Sequence, residues 1–385
     1  MSMEWNICRI GDLCTKVCSG GTPTSSNPNY YDGGIPWLNT NEVNFCNIYS
    51  TNRTISEEGL NNSAAKYIPV NSVIVAMYGV TAGKSAVAKI PLTTNQACCN
   101  LIIDENKAYY QFVYYFLKLQ SENLNKLANG GAQQNLNSLL IKKYKIALPD
   151  LPTQYRIASI LSAYDNLIEN NNRRTRLLEQ MAENLYKEWF VRFRFPGHEK
   201  VEMENGLPKG WKIDRVKSIV KRLPFNRTYK EYELEKAGKV VVIDQSTNDV
   251  LGYHNNEPSH YADYDTPLII FGDHSCKFQL MTQNFSMGEN VIPFTTYNKA
   301  VVNEYWLFYA THKLINTEEY KRHWGRFVSM KVLIPEIRLQ NKFAGIIVNL
   351  EKEKNKLKVA NENLSRQRDL LLPRLMSGKL EVNVK

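Results

Sequence analysis

Apolar residues follow a helical spacing in two long segments of the chain. After Pro152 they recur alternately four and three positions apart, and after Pro335 they recur every seven positions, as in a coiled-coil seam. The seam comprises Ile157, Leu161, Tyr164, Ile168, Leu178, Leu185, Phe343, Leu350, Leu357, Leu364 and Leu371. The pattern predicts two long helices, over 151–195 and 336–380. Since such a helix is unstable alone, we expect the two to pack on each other, the alternative being that each packs on its own domain.

Outside these segments the apolar residues occur in short runs typical of β-strands. The runs are Val73–Tyr78, Leu101–Ile103, Val240–Ile243 and Leu268–Phe271. Clusters of Gly, Pro, Asn and Ser separate them, as is typical of turns and ordered loops. The pattern predicts strand-rich domains over 1–150 and 206–335, each followed by a long helix. The expected fold class is α+β.

The two halves of the chain repeat each other. Trp5 and Trp211 open matching segments that lie 206 positions apart. Gln154 and Gln340 close a second pair of matching segments, 186 positions apart. Because both matches occur in the same order, we interpret the chain as a duplication whose second copy lacks about 20 residues in its interior.

The amino-acid composition and net charge of the chain limit the classes of protein to which it can belong. The 385 residues include 48 Lys and Arg against 38 Asp and Glu, which gives a net charge of +10 and a pI of about 9.0. A basic chain makes a polyanion such as nucleic acid the first partner to consider. An apolar share of 43% is enough for real cores and argues against disorder. The start shows no signal-peptide pattern, and no apolar run approaches the roughly 18 residues that span a bilayer.

Cysteine and histidine spacing gives no sign of a metal site. The seven cysteines include no CxxC pair, which disfavours structural zinc and fits free thiols in a reducing cytoplasm. His254, His260, His274 and Cys276 could be imagined around Asp273 as a metal cluster. Their spacing matches no known site, so we interpret them as part of a variable polar loop and predict no metal.

One glycine-containing segment, Tyr78–Ser85, resembles the end of a phosphate-binding loop. Gly79 lies one position out of register for that motif, so we prefer a glycine turn between strands, with Lys84 free to meet a phosphate backbone. A nucleotide-dependent enzyme that uses this loop stays an alternative, testable by ATP binding. No Ser/His/Asp or Cys/His arrangement stands out, and the sequence predicts no catalytic centre in this chain.

Both halves offer basic, aromatic and amide side chains suited to DNA. Lys and Arg neutralise phosphates, while Asn, Gln and Arg make paired hydrogen bonds to base edges. The densest basic cluster lies at 212–230. The predicted DNA-binding residues are Asn39, Thr40, Asn41, Arg53, Lys84, Gln133, Gln134, Lys221, Arg222, Arg227, Tyr229 and Lys230.

Several short motifs occur in a fixed order along the chain: Gly20–Pro23, Gly34–Trp37, Asn95–Gln96, Gln154–Leu161, Leu207–Trp211 and Leu371–Leu380. Their order resembles that of the specificity subunit of a type I restriction–modification enzyme, over essentially the whole chain. The second domain lacks the Gly-Gly-Thr-Pro and Ile-Pro-Trp signatures, so its assignment rests on its flanks.

The resemblance implies that each domain is a target-recognition domain reading one half of a split duplex DNA sequence. It implies that the helices pair antiparallel with pseudo-twofold symmetry, as a spacer roughly 55 Å long. The implied partners are two methyltransferase (M) subunits carrying S-adenosylmethionine, which methylate an adenine, and restriction (R) subunits using ATP and Mg. This chain would be a non-catalytic cytoplasmic subunit without a cofactor.

A protein of another class stays open as the alternative. It is a coiled-coil assembly scaffold with two protein-binding domains and no DNA contact. A steep fall of DNA affinity with salt would favour the DNA-binding interpretation, because phosphate contacts release counterions. No binding to DNA in the presence of a methyltransferase would favour the scaffold.

Overall fold

Residues 5–129, 136–225, 227–317 and 321–383 are described by the structure, a computed structural model of the chain. The chain divides into two units. Unit 1 comprises Met1–Asn170 together with Asn361–Lys385, and unit 2 comprises Asn171–Ala360. Each unit contains one strand-rich domain and a part of each long helix. The α+β fold class with two long helices is confirmed.

The strands of unit 1 form two sheets and a separate pair. The strands are β1 (Asn6–Arg9), β2 (Cys14–Ser19), β3 (Tyr31–Leu38), β4 (Cys46–Ile48), β5 (Arg53–Ile55), β6 (Val73–Ala76), β7 (Ser85–Ala88), β8 (Thr93–Thr94), β9 (Cys98–Ile103) and β10 (Lys145–Leu148). The helices are α1 (Glu57–Asn61), α2 (Tyr110–Leu119), α3 (Ser121–Asn129), α4 (Ser138–Lys143) and the long α5 (Leu151–Tyr186).

The larger sheet of unit 1 has the order β2-β9-β6-β7-β4, and the smaller has the order β5-β3-β8. β4–β7 and β3–β8 are parallel pairs, whereas β1 and β10 pair antiparallel and join the two ends of the domain. The side chains of the fully buried strand β6 alternate between two cores, which explains why β6 lies at the centre of the larger sheet. Val73 and Val75 lie in a core with Phe112 of α2, while Ile74 lies in a second core with Leu38.

The strands of unit 2 are β11 (Met203–Glu204), β12 (Leu207–Pro208), β13 (Lys212–Arg215), β14 (Val220–Arg222), β15 (Val240–Ile243), β16 (Gly252–His254), β17 (Leu268–Gly272), β18 (Phe278–Met281), β19 (Phe285–Met287), β20 (Val291–Thr296) and β21 (Lys331–Ile334). Its helices are α6 (Val216–Ile219), α7 (Glu304–Thr311), α8 (Trp324–Ser329) and the long α9 (Ile337–Met376).

The topology of unit 1 recurs in unit 2. The sheet β14-β20-β17-β18 repeats the order β2-β9-β6-β7, and β16-β15-β19 repeats β5-β3-β8 with the corresponding parallel pair, β15–β19. The pair β13–β21 corresponds to β1–β10. The duplication therefore extends through a region where the two sequences share no motif.

The missing residues of the second copy fall in two places. β2 and β14 begin 206 positions apart, but β6 and β17 begin 195 apart, and unit 2 has no counterpart of β4 among its described residues. α2 and α7 begin 194 positions apart, whereas α4 and α8 begin 186 apart, because the described part of unit 2 has no counterpart of α3.

The long helices pack together within each unit. In unit 1, Ile157 and Leu161 of α5 share a core with Leu372 of α9 and with the domain's own α2. In unit 2, Arg174 pairs with Glu353 at 3.2 Å. The helices therefore contact each other and also their domain. Both packing arrangements considered from the sequence thus occur in the structure. All the predicted seam residues are buried or half-buried.

Antiparallel pairing is evident in unit 2. Beyond the Arg174–Glu353 pair on α5 and α9, the ring of Tyr186 lies 6.2 Å from that of Phe343. Residue numbers rise along α5 as they fall along α9, so the two helices run in opposite directions.

Both helices end earlier than the seam predicts. α5 passes into a single π-helical turn, Lys187–Val191, and Phe193 then takes a left-handed backbone with φ of 59°. α9 ends at Met376, and Gly378 follows with φ of 69°, the conformation glycine commonly supplies after a helix. Apolar spacing alone does not reveal these endings, because apolar residues continue beyond them. None of the helices in the described ranges is long and apolar enough to cross a membrane.

Candidate nucleic-acid interface

Two turns of the first domain carry several of the predicted DNA-binding residues and are joined by Glu42. One carboxylate oxygen of Glu42 accepts from the backbone N–H of Asn39 at 3.0 Å, and the other accepts from the N–H of Asn52 at 2.8 Å. The turn with Asn39 and Asn41 is thereby held beside the turn that leads to Arg53. Asn41 and Arg53 are exposed.

Asn39 and Thr40 have structural tasks that their sequence pattern does not reveal. The side-chain oxygen of Asn39 accepts from the N–H of Thr40 at 3.0 Å and from the amide of Asn95 at 2.9 Å. The carbonyl oxygen of Thr40 accepts from the hydroxyl of Thr81 at 2.7 Å. Both residues are half-buried, so we assign them to the support of the turn, with Asn41 at its exposed tip.

The loop 77–84 joins β6 to β7 and is therefore a turn between strands, as expected. A phosphate-binding loop leads instead from a strand into a helix. Lys84 is not free, contrary to expectation: its ammonium donates to the side-chain oxygen of Asn44 at 2.9 Å. The loop is braced from below by α3, because the amide of Asn125 donates to the carbonyl oxygen of Ala82 at 2.9 Å.

Arg53 lies on an aromatic shelf. Its guanidinium carbon is 4.7 Å from the centre of the Tyr31 ring and 5.6 Å from that of Trp37. The Trp37 indole N–H donates to the carbonyl oxygen of Gly21 at 2.9 Å, and the Tyr31 hydroxyl donates to that of Pro23 at 2.6 Å. The Gly-Gly-Thr-Pro and Ile-Pro-Trp motifs thus build the surface under Arg53.

The predicted contacts Gln133 and Gln134 lie outside the described residues. The chain is described again from Leu136, which is buried. Asn137 then caps α4 by accepting from the N–H of Leu140 at 2.9 Å.

In the second domain, Lys221 and Arg222 are exposed on β14, which pairs with β20 at the edge of its sheet as far as the chain is described. Among the described residues neither has a carboxylate within 4.0 Å. Arg222 borders an open cavity of about 370 Å³ together with Phe225, Arg322 and Trp324. Two guanidinium groups therefore flank one polar opening on this domain.

The acid in this cavity, Asp273, organises its wall. Its carboxylate accepts from the backbone N–H of His323 at 3.1 Å and of Trp324 at 2.9 Å, at the start of α8. Arg322 lies 3.8 Å from the other carboxylate oxygen. Asp273 offsets the charge of Arg322, so Arg222 supplies the net positive charge at the rim of this cavity.

The other basic candidates of the second domain are paired with acids. Arg227 donates to Glu233 at 2.7 Å, and Lys230 forms an ion pair with Glu289. The hydrogen bond with Glu289 raises the pKa of Lys230. The pKa of Glu233 is lowered by the backbone N–H of Lys230 and by Arg227. These cations are therefore partly neutralised, unlike Lys221 and Arg222.

Tyr229 is not the exposed stacking residue that the sequence suggested. It is 5% exposed, stacked on the His254 ring with centroids 4.3 Å apart. The Arg227 guanidinium lies 4.4 Å from the Tyr229 ring. We correct its role to the support of Arg227, because a buried ring offers no open face to a base.

Two of the histidines considered for a metal site, His254 and His260, are buried and do not lie on a solvated loop. His254 lies 2.9 Å from the Ser286 hydroxyl, and His260 stacks on Phe285. Burial lowers the pKa of both imidazoles. In the part of the chain that is described, no three His, Cys, Asp or Glu side chains are grouped as metal ligands. The cysteines are free thiols, and burial raises the pKa of Cys99 to about 12.

A charged cluster joins α5, α9 and α2 in unit 1. Asp165 accepts from Arg368 at 2.5 Å and from the Tyr115 hydroxyl at 2.7 Å, and Lys118 lies 3.6 Å away. Burial lowers the pKa of Lys118 and raises that of Tyr115. The sequence gives no sign that Asp165 and Arg368 pair, because their pairing depends on the helix packing.

Gln154 and Gln340 explain one of the repeated motifs. The Gln154 amide donates to the carbonyl oxygen of Pro149 at 2.8 Å and accepts from the N–H of Tyr109 at 2.9 Å. Gln340 makes the matching bonds to Pro335 at 2.7 Å and to Asn303 at 2.8 Å. In each unit the buried amide ties the start of a long helix to the start of a short one.

The amino-acid sequence of this chain is similar to a known protein family and to individual known proteins. Residues 2–180 match the family described as type I restriction modification DNA specificity domain. The MjaIX specificity subunit of Methanocaldococcus jannaschii is 27% identical over 98% of this chain and 94% of its own length. The EcoR124I/EcoR124II specificity subunit of Escherichia coli is 28% identical over 52% of this chain and 50% of its own length.

A solved structure shares the fold. The crystal structure of the type I restriction–modification S subunit from M. genitalium aligns over 96% of both chains with a TM-score of 0.60 at 19% identity. The resemblance predicted from the motifs is confirmed: residues 2–180 match the type I restriction modification DNA specificity domain, and almost the whole chain is similar in sequence to a type I restriction enzyme specificity subunit.

Proposed function

We propose that this chain is the sequence-specific DNA-binding subunit of a type I restriction–modification complex, and that each strand-rich domain reads one half of a bipartite duplex target. The observation that carries the proposal is the repetition of one sheet topology in both units, each with exposed cationic groups. Two copies of one recognition fold are suited to two half-sites.

Within each domain we assign phosphate and base contacts to different groups. Lys221 and Arg222 stand on an exposed strand without a carboxylate partner in the described region, which suits sequence-independent phosphate contacts. Asn41 stands at the tip of a braced turn, and an amide there can pair with an adenine edge. Phosphate contacts would position the domain and base contacts would select the sequence.

The long helices act as the spacer in this proposal. α5 has 36 residues, which at about 1.5 Å per residue makes it roughly 54 Å long. That length exceeds one turn of duplex, about 35 Å, so both domains can face a major groove. We propose that the two repeats are related by a pseudo-twofold axis, and such an arrangement calls for partners in two copies.

Exposed apolar residues along α5 favour the proposal that this helix binds protein partners. Leu167, Leu177 and Met181 are each more than half exposed on a helix otherwise rich in polar residues. We propose two methyltransferase subunits as partners, carrying S-adenosylmethionine and methylating an adenine, with restriction subunits that use ATP and Mg in the full complex. This chain supplies specificity, no cofactor and no catalytic group, and acts in the cytoplasm.

The test is methylome sequencing of cells that express the full chain with a type I methyltransferase subunit from the same genome. We expect one bipartite motif with adenine methylated in both halves, absent when the methyltransferase is expressed alone. The purified chain should bind DNA weakly without its partner and tightly with it. A stable complex with the methyltransferase that neither binds nor methylates DNA would identify the chain as an assembly scaffold.

A further inference from the structure

The position of Arg53 is fixed from both ends of the residue. At the side-chain end the guanidinium rests over Tyr31 and Trp37. At the backbone end its carbonyl oxygen accepts from the Thr51 hydroxyl at 2.7 Å, and that hydroxyl oxygen also accepts from the N–H of Trp37 at 3.2 Å. Stacking on aromatic faces orients the plane of a guanidinium and restricts its rotation.

The shelf itself is rigid. Trp37 is 3% exposed, and its indole N–H is held by the carbonyl oxygen of Gly21. A Cβ at Gly21 would lie 2.2 Å from the backbone nitrogen of Ala65, so the chain passes here without room for a side chain. Tyr31 meets Trp37 edge to face, with centroids 6.1 Å apart. The rings cannot move aside without disturbing this packing.

The hydrogen-bond donors of this guanidinium are available. In the described portion of the chain, the Arg53 side chain donates no hydrogen bond and lies within 4.0 Å of no carboxylate. Arg227 offers an instructive contrast: it also stacks on a tyrosine, but it donates to Glu233 at 2.7 Å. An exposed arginine that is oriented by stacking and has free donors can donate two hydrogen bonds to a pair of acceptors that lie in one plane.

We propose, on the basis of the proposed function, that Arg53 recognises a guanine base for the first domain while it stacks on Tyr31 and Trp37. Guanine presents O6 and N7 as adjacent acceptors in the major groove, and the arginine fork matches both at once. A phosphate could also accept from these donors, but it would bind equally well for every base. The orientation of the fork by two rings favours the planar base edge.

The experiment compares the full chain and its Arg53→Lys and Arg53→Gln variants, each expressed with the methyltransferase and assayed by methylome sequencing. Arg53→Lys keeps the charge but loses the two-pronged geometry. Arg9→Gln is the matched control, because Arg9 is an exposed arginine of the same domain on a different sheet, β1. Thermal unfolding of each purified chain verifies that the variants fold.

We expect both Arg53 variants to accept all bases at one formerly guanine position of one half-site, with the other half-site unchanged. On duplexes that differ at that position, the preference for guanine should fall by roughly 5- to 150-fold, the range for one bidentate pair. Arg9→Gln should keep the wild-type motif.

The proposal is overturned if Arg53→Lys keeps the complete motif, or if Arg53→Gln weakens methylation equally at every sequence, since either result assigns Arg53 to a phosphate. Failure of the proposed function would look different, because the wild-type complex would then yield no bipartite motif. The wild-type arm therefore separates the two outcomes.

Discussion

Asp165 on one long helix accepts a hydrogen bond from Arg368 on the other at 2.5 Å, and both side chains are largely buried. The same carboxylate accepts from Tyr115 and lies near Lys118. Asp165 is therefore the largely buried acid that contacts two cations where the helix pair meets α2 in unit 1. A charge in this position stabilises the structure only while its partners remain, because removing one partner leaves the others buried without compensation.

Asp165→Asn should destabilise the chain by about 2–4 kcal/mol, because Lys118 loses its counter-charge and Arg368 keeps only the exposed Asp369. The measurement is the midpoint of urea unfolding of the full chain. Asp369→Asn is the control, since Asp369 also pairs with Arg368 but is 57% exposed, and it should cost less than about 1 kcal/mol. Equal effects of the two substitutions would contradict the account of the cluster.

Gly21→Ala should disturb the shelf under Arg53. The added Cβ would meet the backbone of Ala65, and overpacking of this kind costs about 1–3 kcal/mol. Gly345→Ala serves as the control, because a Cβ there meets nothing within 4 Å and replaces a glycine inside α9. That change should stabilise the helix by about 0.5–1 kcal/mol. Thermal unfolding should move in opposite directions for the two variants, and a stabilising Gly21→Ala would refute the close packing.

Acid should weaken unit 2 through Glu183. Burial raises the pKa of Glu183, but hydrogen bonds from Lys313 and the adjacent His312 outweigh burial, so the pKa lies below its usual 4.5. A carboxyl whose pKa is lowered by folding stabilises the fold above its unfolded pKa. It loses that contribution as the pH falls through its folded pKa.

The variant Glu183→Gln should therefore melt below the wild type at about pH 6, and the difference should shrink as the pH drops below about 4.5. Thermal melting across this range is the measurement. The exposed Glu362→Gln should match the wild type throughout. A difference in melting temperature that grows toward acid pH would mean that folding raises the pKa of Glu183 instead of lowering it.

Lys221→Gln with Arg222→Gln should weaken DNA binding by the complex alike for all sequences. Each lost phosphate contact removes about 0.9 from the slope of log affinity against log salt, so the double variant should reduce the slope by about 2. Fluorescence anisotropy at several salt concentrations measures it. A change of sequence preference at unchanged slope would instead place these residues on bases.

The periodic features of this fold were predictable from the sequence. Heptad spacing indicated both long helices, because burial of one face requires it, and Gln154 and Gln340 marked the repeat since each must satisfy the same buried backbone groups. The interface residues were harder to place. Glu42 joins two turns through backbone N–H groups, and Tyr229 is buried by His254, which is distant in sequence. Such roles depend on loop packing and leave no periodic signal.

The central claim is that two domains read two half-sites at a distance set by the helices. It is tested most directly by inserting one heptad after Asn171 and another after Leu357, which keeps both seams in register. A heptad adds about 10 Å of helix, so the spacer should lengthen by up to about three base pairs. A heptad inserted in α5 alone puts the helices out of register and serves as the control for lost pairing. Methylome sequencing should show both half-sites unchanged and farther apart, whereas an unchanged spacer with altered half-sites would contradict the account.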